Sequence, residues 1–141
     1  MSDTEDTTDI EVTIDGAIVD VDGDGEADIV SETVTAVIDI DGDGVADIVE
    51  QTTTTLVDVD GDGLVDIVEV TTTTAYDVDG DGVPDAIEQT TTTLIDVDGD
   101  GEPDIIESIT VSGTDVDGDG TLSEDEVEVE GVVAVREGLE D

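Results

Sequence analysis

Aspartates recur at alternate positions along this chain, and the interval between their groups is constant. Asp39, Asp41 and Asp43 are followed by Gly44, Asp47 and Glu50, and the same order returns every nineteen residues. Copies open at Asp20, Asp39, Asp58, Asp77, Asp96 and Asp115, each with Asp-Val/Ile-Asp-Gly-Asp-Gly. Carboxylates at positions one, three and five of a short loop converge when a glycine at six permits a sharp turn. Oxygen donors in that arrangement bind a hard cation. A main-chain carbonyl at seven (Val45 in the second copy), a carboxylate at nine and a bidentate Glu at twelve complete a shell of about seven oxygens.

The candidate ligands follow directly. The first copy offers Asp20, Asp22, Asp24 and Asp28; its position twelve is Ser31 beside Glu32, which predicts a weaker site. The second offers Asp39, Asp41, Asp43, Asp47 and Glu50, and the third Asp58, Asp60, Asp62, Asp66 and Glu69. The fourth offers Asp77, Asp79, Asp81, Asp85 and Glu88, and the fifth Asp96, Asp98, Asp100, Asp104 and Glu107. The sixth offers Asp115, Asp117, Asp119 and Glu126. Calcium is favoured over magnesium, which takes fewer protein ligands and keeps its waters. The expectation is up to six ions, one per repeat.

The loop resembles the calcium loop of EF-hand proteins, and Asp115–Glu126 fits that pattern throughout, with Leu122 at position eight. No helix is expected before any loop. The DxDGDGxxD form with an apolar residue after the ninth-position Asp is similar to the loops of FG-GAP/VCBS repeats, in which the loop joins neighbouring β-strands. Thrombospondin type 3 and dockerin loops are similar too. The resemblance covers twelve residues per copy and implies calcium as the bound ion. The nineteen-residue period with threonine strands lies outside those families.

Charge restricts the partners. The chain of 141 residues carries 44 acidic residues against one basic residue, Arg136, for a net charge of −43. Self-repulsion of that size favours expansion, and it excludes nucleic acid and anionic membrane as partners. Six divalent ions supply twelve positive charges and leave about −31. Cysteine and histidine are absent, so thiolate sites, disulfides and the commonest acid–base catalyst are missing. The acidic pairs all lie in the loops, so no enzyme is expected. No run reaches the ~20 apolar residues of a membrane-spanning helix.

Elements that position the loops are read from the intervening runs. Ile48 to Val57 is rich in β-branched residues, lacks Gly and Pro, and shows no helical period, which predicts a strand of roughly ten residues. Ile10, Val12 and Ile14 predict a first strand over 9–19, with Gly16 as a candidate bulge. After the last loop, Ser123 and Glu126 fit a capping box, while Val127 and Val129 alternate as a strand does. The fold class is all-β: an antiparallel meander or sandwich of about seven strands joined by the cation loops. The alternative is a β-solenoid with nineteen-residue coils. A solenoid stacks the loops about 4.8 Å apart, whereas a meander alternates them between two ends at about 9.6 Å, which suits crowded negative charge better. Paired apolar residues such as Ile48-Val49, Ile67-Val68 and Ile105-Ile106 reach both faces. This predicts a second layer or a second copy of the chain against the sheet. The domain reading is a flexible N-terminus at 1–8, one repeat domain at 9–135 and a flexible tail at 136–141.

The threonine tetrads at 52–55, 71–74 and 90–93 have several readings. They suit a solvated β face, they are accessible acceptors for O-linked glycans, and a regular Thr array on one flat face can bind ice. The expected function is a calcium-stabilised structural repeat protein that self-assembles into an extracellular or cell-surface filament, adhesin stalk or matrix. The alternative is an intracellular acidic calcium buffer. A calcium sensor needs a bistable helix pair, which the pattern lacks. The first fifteen residues lack the basic and apolar regions of a signal peptide. The expectation is therefore a leaderless export route, as for acidic calcium-repeat proteins of the RTX kind, or an intracellular location.

Overall fold

The β-branched runs between Asp-Gly loops form strands, and every loop returns the chain beside the strand it has just left. The computed structural model describes residues 8–136. Of the flexible ends expected at 1–8 and 136–141, residues 1–7 and 137–141 lie outside the described residues. The strands are β1 (Asp9–Val19), β2 (Ile29–Asp39), β3 (Ile48–Val57), β4 (Ile67–Tyr76), β5 (Ala86–Ile95), β6 (Ile105–Thr114) and β7 (Val127–Val135). They form one seven-stranded antiparallel sheet in sequence order. This is the expected meander, and the solenoid does not form. A one-turn 3-10 helix, Glu124–Glu126, precedes β7, so the last loop uses both the helical turn and the strand. The ladder between β1 and β2 runs through Gly16, opposite Glu32, without the bulge.

The register sets what each face carries. Ile48 lies opposite Ile38 and Tyr76, and Glu50 opposite Ala36 and Thr74. The equivalent residue Glu69 lies opposite Thr55 and Thr93. Glu50 and Thr55 sit five residues apart on β3, so Glu50 and Glu69 point to opposite faces. Successive repeats are therefore related by a two-fold screw axis lying in the sheet, and both faces bear the same pattern. Each face has an apolar row near either end and threonine in the middle.

Threonine hydroxyls join strands across that middle zone. On one face Thr52 pairs with Thr72 (3.2 Å) and Thr90 with Thr110 (2.9 Å). On the other face Thr33 pairs with Thr53 (3.0 Å) and Thr71 with Thr91 (3.1 Å). Such cross-strand pairs stabilise a sheet modestly. Gln51 and Gln89 extend the network, their Nε2 groups donating to Thr35 and Thr73.

The sheet stays a single layer. Short loops to the nearest neighbour give no crossover that could carry the chain to a second sheet, so no sandwich forms. Among the described residues no hydrophobic side chain is buried; the buried residues are Asp77, Asp104 and Gly113. Both edge strands are exposed along their whole length, and they carry Glu11 and Asp15 on one side and Glu128 and Glu130 on the other. Charged edges oppose pairing with further strands.

Equivalence of repeats has a direct test. Deleting residues 58–76 should leave a six-stranded sheet with unchanged far-UV ellipticity per residue in calcium and a graded loss of stability. Collapse of the β signal would show that the repeats are not interchangeable.

Candidate metal centres

Each loop is built by carboxylates that accept main-chain N–H groups. In the second copy the base closes when the Asp47 N–H donates to the Ile38 carbonyl at 2.8 Å. Asp39 accepts from Gly42 (2.7 Å) on Oδ1 and from Gly44 (2.8 Å) on Oδ2. Asp41 Oδ1 accepts from Asp43 (3.1 Å), and Asp43 Oδ1 from Val45 (2.7 Å). Asp47 Oδ2 accepts from Ile40 (2.6 Å). The chain turns tightly enough because Gly42 and Gly44 adopt φ of +77° and +89°, a region that side-chain-bearing residues enter only with strain. The first, third, fourth and fifth loops repeat these bonds at Asp20, Asp58, Asp77 and Asp96 and their followers.

This arrangement divides the carboxylate oxygens into two sets. One oxygen of each of Asp41, Asp43 and Asp47 accepts an N–H. Their partners, Asp41 Oδ2, Asp43 Oδ2 and Asp47 Oδ1, accept no hydrogen bond among the described residues and remain available to a ligand. Carboxylate oxygens converge within 4.8 Å of one another in the sets Asp20, Asp22, Asp28; Asp39, Asp41, Asp43; Asp58, Asp60, Asp62; Asp77, Asp79, Asp85; and Asp96, Asp98, Asp104. Asp24, Asp81 and Asp100, at position five, accept from Glu26, Val83 and Glu102 in the same manner. The donor set is all oxygen, which suits calcium, magnesium or manganese and not the softer metals.

The glutamates at position twelve do not join these five sets. The strand begins at position ten, so Glu50, Glu69, Glu88 and Glu107 lie two residues inside the ladder. Glu88 faces Thr74 and Ser112, and Glu107 faces Thr93 and Val133. The sixth loop differs. Its position nine is Ser123, and Glu126 takes the role that the ninth-position Asp has elsewhere: its Oε1 accepts from Val116 at 2.7 Å and its Oε2 from Ser123 at 2.9 Å. The 3-10 turn draws Glu126 back over the loop, where Asp115 and Asp117 accept from Gly118, Gly120 and Asp119.

Loops at one end are tied together, a connection the sequence did not announce. Asp58 N–H donates to the Asp28 carbonyl and Asp96 to Asp66, both at 2.9 Å, while at the other end Asp77 donates to Asp47 and Asp115 to Asp85. A cavity of about 180 Å³ between the fourth and sixth loops is lined by Asp79, Asp81 and Asp85 from one and Asp115 and Asp119 from the other. Arg136, placed by sequence in a loose tail, sits instead on the fifth loop. Its guanidinium bridges Asp98 (3.0 Å), Asp100 (3.1 Å) and Asp104 (2.5 Å). Its guanidinium nitrogens stand in for a cation here, which shows that three carboxylates of a loop can share one positive group. The clue available in the sequence was that this single basic residue falls where a further loop would open.

Proton affinities separate the two kinds of aspartate. Asp39 is held below the ordinary carboxylate value chiefly by the Gly44 N–H, with desolvation opposing and Gly42 assisting. Gly25 and Gly101 do the same for Asp20 and Asp96. At Asp58 and Asp77 desolvation is the largest influence and pushes upward, but the glycine N–H groups together outweigh it. Asp41 moves the other way: the Asp43 N–H lowers it, and desolvation with the charges of Asp43 and Asp47 prevails. Asp22, Asp60, Asp79 and Asp117 are raised by the same opposition.

Comparison with known proteins returns no match: no family model fits the chain, and no curated protein or solved structure is significantly similar to it. The likeness to known calcium loops therefore rests on the loop residues themselves.

Two outcomes are expected. A Cβ added at Gly44 meets nothing within 4 Å, so Gly44→Ala should cost only the backbone strain of a left-handed residue, about 1–2 kcal/mol in a denaturant melt with saturating calcium. No change would contradict the loop conformation. The second concerns pH in chelator. The depressed aspartates stabilise the fold above the ordinary aspartate value of 3.8 and lose this as pH falls through their lower folded values. The raised aspartates stabilise it below 3.8 and lose this as pH rises through their higher folded values. Metal-free protein should thus be most ordered in an acidic window around 3.8; β ellipticity that climbs steadily toward neutral pH would contradict the assignment.

Proposed function

We propose that this chain is a calcium-stabilised structural repeat protein that works outside the cell as a self-assembling unit of a filament, stalk or matrix. The observation that carries the proposal is the pairing of two facts: the sheet has no buried hydrophobic residue, and each of the first four loops keeps three carboxylate oxygens without a main-chain donor. A single layer without a core cannot offset its conformational entropy by apolar burial. Cations in the loops supply the missing stabilisation and remove repulsion at the same time. Calcium tolerates the irregular, flexible, all-oxygen site better than magnesium does. Millimolar calcium, as found outside cells, fills even weak sites of this type.

Assembly is supported by the surface. The residue at position two of each loop projects into solvent: Val21 is 69%, Val78 80% and Val116 78% exposed. Apolar rows on both sheet faces add half-exposed surface, and a second copy could cover it once cations reduce the charge. The threonine zone is half-exposed on both faces, and its hydroxyls outside the cross-strand pairs are the candidate glycan acceptors. A flat Thr array confined to one face, which ice binding requires, does not match two faces of equal pattern.

Calcium titration of the chelated protein, followed by far-UV circular dichroism and light scattering with magnesium as control, tests this reading. A cooperative gain of β signal near millimolar calcium, with growing particles, is expected. Folding at micromolar calcium without particles would instead point to a buffer, and indifference to calcium would reject the metal reading altogether.

A further inference from the structure

We infer that Arg136 is a tethered counter-ion that occupies the cation seat of the fifth loop and competes with metal there. The inference rests on the calcium reading for its competitive part and on geometry alone for its occupancy. In the fifth loop the main-chain N–H groups bond to Asp98 Oδ1, Asp100 Oδ1 and Asp104 Oδ2. The guanidinium takes the three complementary oxygens, Asp98 Oδ2, Asp100 Oδ2 and Asp104 Oδ1. These are the counterparts of the oxygens left free at Asp41, Asp43 and Asp47. One positive group thus takes the three carboxylate oxygens that the main chain leaves free at positions three, five and nine of this loop, and the Asp104 side chain is wholly shielded beneath it.

The backbone shows why the arginine is there. Arg136 N–H donates to the Asp104 carbonyl at 2.6 Å, in the slot that Asp58, Asp77, Asp96 and Asp115 fill against their own preceding same-end loops. In those four places an acidic residue opens another loop. At the end of β7 a base stands in the same slot. An interior loop is flanked by a further acidic loop, whereas the fifth loop is flanked by a cation. Beside the last strand of the described sheet the acidic loop opener is thus replaced by a base, a departure from the repeat consensus of the kind seen at the edges of stacked arrays. It also joins β7 to the fifth loop without metal, through a planar donor fork suited to several carboxylates.

The test compares the full-length chain with Arg136→Gln and Arg136→Lys. Calcium binding is counted by equilibrium dialysis. The unaltered chain should show one site roughly tenfold weaker than the others, the order expected of a networked, partly shielded ion pair. In Arg136→Gln that site should tighten to join the rest, with Arg136→Lys intermediate because an ammonium lacks the fork. Identical affinities in all three proteins would overturn the competition. Amide hydrogen exchange in chelator provides the second readout: Arg136→Gln should speed exchange in 96–104 and 127–136 relative to the rest of the sheet. Equal exchange would overturn occupancy of the seat. If none of the three proteins binds calcium, the metal reading fails and the competition with it, while the exchange result still decides whether Arg136 holds the loop.

Discussion

Crowded like charge is the constraint on which this structure turns. Each loop gathers aspartates at close quarters, enough in the second copy to raise the proton affinity of Asp41, and holds them there with main-chain N–H groups. Those N–H groups would otherwise be unpaired at a turn of nine residues, so the acids that repel one another are also what closes the backbone. The glycines at positions four and six are the geometric condition for this exchange, because only their left-handed conformation aims the N–H groups inward. A cation seated in the loop would relieve the repulsion without disturbing the N–H bonds, because the aspartates at positions three, five and nine each keep a second oxygen free; both oxygens of the position-one aspartate already accept N–H groups.

The rest of the sheet is arranged around that requirement and not around a core. Alternating the loops between two ends spreads charge, and the carbonyl at position nine of one loop accepts from the loop two repeats later, which sets their separation. Between the two charged ends the strands are made cohesive by β-branched side chains and by hydroxyl pairs such as Thr52 with Thr72. These are local, cross-strand interactions, each small. They give order along the sheet but little stabilisation in depth, and the acidic edge strands discourage unplanned extension.

Much of this was legible in the residues. The Asp-Gly spacing located every loop, and Ile48 to Val57 read correctly as a strand because its run lacks turn formers and helical period. Neighbouring placement of strands followed from loop length and charge. The position-twelve glutamates were less legible. Loop spacing alone suggests that Glu50 returns to the cage, but the adjacent Ile48 and Val49 start the ladder at once and carry Glu50 away along the sheet. Glu126 returns only because Ser123 replaces an aspartate and a helical turn follows. Arg136 was hidden for another reason: its partners lie more than thirty residues back, and only the register of β6 and β7 brings them together. The adjacent apolar pairs, read as a demand for a second layer or a second copy of the chain, find no second layer in the single sheet; the alternation along each strand deals one member of each pair to each side.

That dealing gives the sheet no front and no back. Glu50 and Glu69 occupy matching places on opposite sides, as do the threonine pairs Thr52–Thr72 and Thr71–Thr91. A molecule resting on one side meets the same landscape on the other, turned through half a revolution. A layer laid over the sheet therefore leaves an equivalent surface uncovered beyond it when that layer is another copy, and pairing does not use up the binding surface as it does in a sandwich. Were such sheets to laminate, the stack would have no built-in stopping number, and its thickness would be governed by how much uncompensated charge each added layer brings.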